Sequence, residues 1–298
     1  MIDAHHHLWD LSAIRYPWLE EKSVMRFFGD PTAIQKNYLM SDFRSDCQSH
    51  GFWGSVHIQV GAEDPIREAN WVDGVSSANS DWSMRQVVYC DLTEKQMPTK
   101  LDLFQKLPSV AGVRQILSRA PGIESGSVLL DNITSPIVLE NLRELSRRQL
   151  SFDLQLIPEV MGQFSFLLQK VPELKIAICH AGSPHDRTAP GIRRWQSALR
   201  FISSLPNTSC KISGLGMFQH NWTIEDFKVL VETCLEQFGS KRCMFGSNFP
   251  VDSLYSDYNT LINTFKILVP NSLHKAFFEN TARKFYHIER NNLGHIAH

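Results

Sequence analysis

An excess of charge of either sign is missing from this sequence: 30 lysines and arginines stand against 31 aspartates and glutamates, for a formal net charge of −1. That balance argues against a general attraction to nucleic acid or an anionic membrane, both of which need a basic face, and leaves a small molecule as the expected partner. Long hydrophobic runs are missing too, since none approaches the roughly 20 apolar residues that span a bilayer. The opening residues carry no basic region followed by an apolar stretch and a small-residue cleavage site, so no secretory leader is expected and the reading is of a soluble cytoplasmic protein. Cys47, Cys90, Cys179, Cys210, Cys234 and Cys243 form no Cys-x-x-Cys pair, and four lie inside short apolar runs. They are expected to be reduced core thiols rather than a disulfide or zinc framework. No Gly-x-Gly-x-x-Gly follows an early strand and no Gly-Lys-Ser/Thr loop occurs, which weighs against nucleotide binding. With no low-complexity segment and no long Pro/Gly-rich linker, one domain is expected over residues 1–298.

What is present is enough to bury a large core: 43% of the residues are hydrophobic and 20% charged. After an apolar opening strand, the chain repeats a short β-branched run, a polar residue near its end, and a stretch with helical spacing. The runs fall at 54–60, 84–91, 110–117, 151–157, 174–180, 208–213 and 242–248. Helical spacing appears at 66–78, 137–148, 161–169, 192–204 and 224–238. Alternation of this kind implies parallel strands joined by crossovers, and eight units imply an α/β fold closed as a (β/α)8 TIM barrel. An open doubly wound sheet is the alternative. Residues 10–42 show no sustained periodicity and hold aromatic clusters such as Tyr16-Pro17-Trp18, so they are read as an irregular loop covering the site. The stretch 280–286 is expected to be a terminal helix packing Phe285 and Tyr286 on the barrel.

The first ten residues, with His5, His6 and His7 in sequence, carry the strongest chemical signal. On a strand, His5 and His7 point to one side and His6 to the other, so two imidazoles can converge on one ion or substrate. Neutral imidazole serves as a metal ligand or as a base near neutral pH. In a parallel barrel the site lies at the carboxyl ends of the strands, and the period of two then selects the inward residues. It places His57 with Gln59, Asp153 with Gln155, His180 in phase with Ile178 and Ile176, Lys211 with Ser213, and Asn248 with Gly246 and Met244. The expected mouth holds His5, His7, Gln59, Arg114, Asp153, His180, Lys211 and Asn248. Gln59, Arg114, Asp153 and Lys211 are the substrate-binding candidates, with Arg114 and Lys211 able to hold a carboxylate or polarise a carbonyl. Two plainer readings stay open: Arg114 pairs with Asp153 inside the barrel, and Gln59 and Gln155 satisfy backbone groups.

The motifs Ile2-Asp-Ala-His-His-His-Leu-Trp-Asp10, Gly112-Val-Arg-Gln-Ile-Leu117, Ile178-Cys-His-Ala-Gly-Ser-Pro184, Lys211-Ile-Ser-Gly-Leu215, Phe245-Gly-Ser-Asn-Phe-Pro-Val251 and Asn280-Thr-Ala-Arg-Lys-Phe-Tyr286 span most of the chain. Taken together, they resemble the amidohydrolase superfamily, in its sugar-lactonase and 2-pyrone-4,6-dicarboxylate lactonase-like branch. The resemblance implies a barrel that opens a lactone with water, with His5, His7 and His180 around that water. It also implies an aspartate base after the strand-eight serine, where this chain has Asn248, which cannot accept the proton. Asp252 or a histidine is expected to take that role. Strand four offers Arg114 and Gln115 where two-metal relatives carry a bridging group, so one divalent ion is expected, zinc foremost, on His5, His7 and His180. A metal-free site is the alternative, as are an amide hydrolase, a decarboxylase or a weakened binding barrel. A monomer and a homodimer both stay open.

Overall fold

The computed structural model describes residues 1–119 and 133–290, and residues 120–132 and 291–298 of the domain expected over 1–298 lie outside the described residues. Eight strands follow the expected runs: β1 Ile2–His6, β2 Gly54–Ile58, β3 Ser83–Tyr89, β4 Val110–Ile116, β5 Ser151–Gln155, β6 Ile176–Ile178, β7 Thr208–Ile212 and β8 Cys243–Phe245. They pair in parallel in sequence order. The helices are α1 Pro17–Glu20, α2 Met40–Cys47, α3 Pro65–Ala78, α4 Met97–Phe104, α5 Pro136–Arg147, α6 Pro158–Leu168, α7 Ala189–Ser203, α8 Ile224–Phe238, α9 Tyr258–Leu268 and α10 Thr281–Tyr286. Several start on proline, whose fixed φ and absent N–H suit a first helical turn. At α3, Asp64 also accepts the backbone N–H groups of Ile66 and Arg67, both at 3.0 Å.

The β8–β1 seam closes through the residues just beyond the strands. Asn248 N–H donates to the His5 carbonyl at 2.7 Å and His7 N–H to the Phe249 carbonyl at 2.8 Å. The Asp3 carboxylate reinforces the seam by accepting the Ser247 N–H and the Tyr258 hydroxyl, each at 3.0 Å. The fold is thus a (β/α)8 barrel.

Two cores follow from the alternation of strand side chains. The outer one packs residues such as Val88, Phe152, Leu154 and Ile212 against Leu142, Phe164, Leu199 and Leu230 of the helices. The inner one joins Ile2, Ala4, Val56, Ile58, Val87, Ala177 and Met244 with Phe285 and Tyr286 of α10. The terminal helix therefore plugs the barrel at the amino ends of the strands.

Residues 10–42 are held over the opposite end. Trp9 and Tyr38 form an antiparallel bridge, the Trp18 indole donates to the Val60 carbonyl at 2.7 Å, and Arg15 pairs with Glu63. The segment is less irregular than its sequence suggests, since it contains α1, a 3-10 turn at Thr32–Ile34 and the first residues of α2.

Candidate active site

A cavity of about 590 Å3 opens at the carboxyl end of the barrel. His7, Gln59, Arg114, Gln155, His180 and Asn248 line its floor and walls, and Trp18, Phe27 and Phe28 of the covering segment face them. His5 lies directly beneath: its ring centroid is 5.1 Å from that of His7 and 4.5 Å from that of His180.

The His-x-His pair reaches this position through a break in register. β1 pairs Ile2 with Gly54 and Asp3 with Ser55, and next pairs His6 with His57, so β1 carries one more residue than β2 over this span. Ile2 and Ala4 face the inner core, and strict alternation would send His5 and His7 outward with Asp3. The extra residue reverses the phase. His6 accordingly turns outward, stacking on Phe43 at 3.9 Å and bonding Ser55 Oγ at 3.0 Å. His57 bonds the Leu8 carbonyl and does not line the cavity, although Gln59 does.

Strand phase does not place His180. Ile176 and Ile178 belong to the outer core, whereas Ala177 faces in. β6 ends at Ile178, and His180 comes to the mouth through a left-handed turn, with φ of 53° at His180 and 51° at Ala181. Such backbone is costly for residues with a Cβ and persists where surroundings over-determine it. Here a hydrogen bond of 3.0 Å between Nδ1 and Ser213 Oγ fixes the ring. Gly214 leaves the room, for a Cβ there would lie 2.4 Å from His180 Nδ1.

Asp153 and Lys211, expected among the substrate-binding residues, instead form an ion pair deeper in the barrel, each wholly buried, and neither lines the cavity. The Tyr286 hydroxyl donates to Asp153 Oδ2 at 2.8 Å, and the Lys211 ammonium lies 5.0 Å from the Tyr286 ring centroid. Since Lys211 takes Asp153, Arg114 bonds neutral acceptors, the Gln59 carbonyl at 3.0 Å and Gln155 Oε1 at 2.5 Å. No carboxylate among the described residues pairs with it. Asp252 lies behind Asn248, outside the cavity lining, with Asn248 Nδ2 donating to its Oδ1 at 3.0 Å. It caps no helix: α9 is capped by Asp257, which accepts the Thr260 N–H at 2.8 Å. Burial pushes the Asp252 carboxyl up to about 7.

Burial is also the main influence on the three central histidines, and it lowers their basicity. His7 is pushed down to about 3, with Arg114 the next cause. His5 and His180 are held well below the ordinary range by burial, reinforced by His180 at His5 and by Arg114 at His180. Each is held toward the neutral form, in which one ring nitrogen keeps its lone pair. His7 Nδ1 lies 2.7 Å from the Ile58 carbonyl and must be its donor, so Nε2 is the free nitrogen.

The donor set suits one borderline divalent ion. Both nitrogens of His5 are buried without a hydrogen-bond partner among the described residues, and His7 Nε2 converges with Asn248 Oδ1 at 3.3 Å. His5, His7 and His180 are the residues that would hold the ion. As the side chains stand, no group of three or more His, Cys, Asp or Glu among the described residues is placed to hold a metal ion, so these three would have to draw together around it.

Sequence reasoning undervalued Gln155, which shares the inward phase of Asp153 and anchors Arg114. It left Trp18, Phe27 and Phe28 unassigned beyond their place in the cover; their aromatic clustering was the available signal. The six cysteines are free and buried.

Histidines converge at the carboxyl mouth of a parallel barrel, and the family this chain matches makes it an enzyme of the barrel hydrolase class. It belongs to the amidohydrolase family, whose profile matches residues 2–288. It is 35% identical to the uncharacterized protein y4mH of Sinorhizobium fredii, covering 97% of this chain and 98% of that one. It is 23% identical to the L-fucono-1,5-lactonase of Burkholderia ambifaria, covering 97% and 96%. Its fold resembles that of an amidohydrolase from Burkholderia multivorans solved with bound zinc, with a TM-score of 0.81, 18% identity and coverage of 97% and 99%. No helix among the described residues is long and apolar enough to cross a membrane.

Proposed function

We propose that this hydrolase opens a small lactone, of a sugar acid or a carboxylated ring, with water. The observation that carries this reading is the juxtaposition of neutral His7 and His180 with Arg114, a buried guanidinium without a carboxylate partner among the described residues. A buried cation left uncompensated is costly, and a substrate carboxylate or a developing carbonyl oxyanion answers it. The likeness to an L-fucono-1,5-lactonase supports the lactone class.

In this mechanism the ring rests against Trp18 and Phe28, with its anionic or carbonyl oxygen toward Arg114 and Gln59. Water enters beside His7, His180 and Asn248 and attacks the carbonyl carbon. Where no ion occupies the histidines, its proton passes to a neutral imidazole, because Asn248 cannot take it and Asp252 has no face on the cavity. Collapse of the tetrahedral intermediate breaks the ring C–O bond, and the imidazolium returns the proton to the departing alkoxide. The product is the open hydroxy acid. A bound zinc-type ion would supply Lewis acidity, lowering the pKa of the water to about 7.

A panel of neutral and carboxylated lactones, followed with a pH indicator and by mass spectrometry of the products, tests the reading. The expected result is proton release with a product one water heavier. Arg114→Met should weaken turnover of carboxylated members most. Tight binding without turnover across the panel would instead define a binding barrel, and loss of carbon dioxide would define a decarboxylase.

A further inference from the structure

Asn248 is constrained on three sides. Its backbone has a φ of 58°, its N–H is bonded to the His5 carbonyl at 2.7 Å, and its side-chain nitrogen is bonded to Asp252 at 3.0 Å. The amide oxygen is thereby turned toward His7 Nε2, 3.3 Å away. That nitrogen is itself an acceptor, because Nδ1 carries the hydrogen donated to Ile58. Two lone pairs thus face each other on the cavity wall. Rotating the amide would give His7 a donor, yet it would set an oxygen against the Asp252 carboxylate. Asp252 is 2% exposed, its Oδ1 takes the Asn248 amide, and its Oδ2 has no hydrogen-bond partner among the described residues. Losing the Asn248 donor would leave a buried charge poorly satisfied, which costs more than the facing acceptors do while a donor from the cavity can enter between them.

We infer that Asp252 is a positioning residue: it grips Asn248 Nδ2 and thereby presents Asn248 Oδ1, beside His7 Nε2, as a paired acceptor for a donor entering from the cavity. A water molecule matches that pair, giving one O–H to each acceptor and keeping its lone pairs for the substrate carbonyl. The identity of the donor as water rests on the hydrolytic reading. The orientation of the amide does not.

Two measurements keep these apart, both made above the Asp252 titration, which burial places at about 7. In protein labelled with 15N-asparagine, the Asn248 side-chain amide is assigned by its disappearance in Asn248→Asp. Asp252→Asn should move its proton resonance and increase its solvent exchange, because the bond to a carboxylate is lost. An unchanged resonance would overturn the inference whether or not a substrate is known.

On any lactone the enzyme hydrolyses, Asp252→Asn should lower kcat about 10- to 100-fold with KM nearly unchanged, as for other groups that orient a reacting residue. The exchanged pair Asn248→Asp with Asp252→Asn should recover much of the loss, because the new amide can grip the new carboxylate and leave an oxygen facing His7. If the exchanged pair recovers neither kcat nor stability, Asp252 is only structural and the inference fails. If no lactone is turned over while the amide resonance moves as expected, the lactonase reading fails and the positioning role stands.

Discussion

At the scale of single residues, the site depends on side chains aimed by unusual backbone. His180 leaves its strand in a left-handed turn, and Gly214, itself at φ 62°, gives its ring a place to stand. Gly214→Ala would put a methyl 2.4 Å from His180 Nδ1. The ring must move, since its Ser213 bond and the adjoining turn hold it against that side. We expect turnover to fall by about 10²-fold, as a displacement near 1 Å commonly costs. Stability should fall by only about 1–2 kcal/mol from the strained backbone. Steady-state kinetics beside urea unfolding checks this, and a loss of stability without a loss of turnover would show that the ring tolerates displacement.

At the scale of elements, a buried carboxyl on α3 holds the chain just beyond β2. Glu68 on α3 is 2% exposed and accepts the Val60 N–H at 3.2 Å, while the buried Tyr16 hydroxyl of the cover has no hydrogen-bond partner among the described residues. Burial pushes Glu68 from 4.5 up to about 7, more than its hydrogen bonding and the Arg114 charge lower it. The folded state therefore holds the proton more tightly than the unfolded chain. The resulting stability is fully present below the unfolded value and is lost as pH rises through about 7. A shift of that size corresponds to roughly 3 kcal/mol. Urea unfolding of the wild type and Glu68→Gln below the unfolded value and well above the folded one should show the wild type losing about that much relative to the variant. Parallel pH profiles would mean that burial does not raise the Glu68 carboxyl in this way.

For the whole molecule, the barrel is closed at one end by its own terminal helix and at the other by the covering segment. The lower closure is chemically specific: Tyr286 of α10 donates to Asp153, which also neutralises Lys211. Tyr286→Phe should cost about 1–3 kcal/mol, because a buried carboxylate oxygen loses a donor. It should leave substrate affinity unchanged, since neither Asp153 nor Lys211 lines the cavity. Denaturant unfolding with a KM measurement checks both, and a large change in KM would return the ion pair to the substrate site.

The sequence by itself determined the barrel and the separation of His5 and His7 from His6. Eight hydrophobic runs alternating with helical spacing have few packing solutions, and neighbouring strand residues must face opposite sides. It also exposed Asn248 as an amide where an acid was expected. The tertiary structure alone decided which face was which, because one extra residue in β1 reverses the phase and no periodicity announces it. It alone carried His180 inward, since a residue beyond a strand end follows its turn rather than the pleat. It alone assigned Lys211 to Asp153 and Asp252 to Asn248, for a buried charge takes whichever partner the packing sets within reach. Among the described residues Arg114 was left without a carboxylate at the cavity for the same reason: its strand neighbour Asp153 was already neutralised by Lys211 of β7, two strands along.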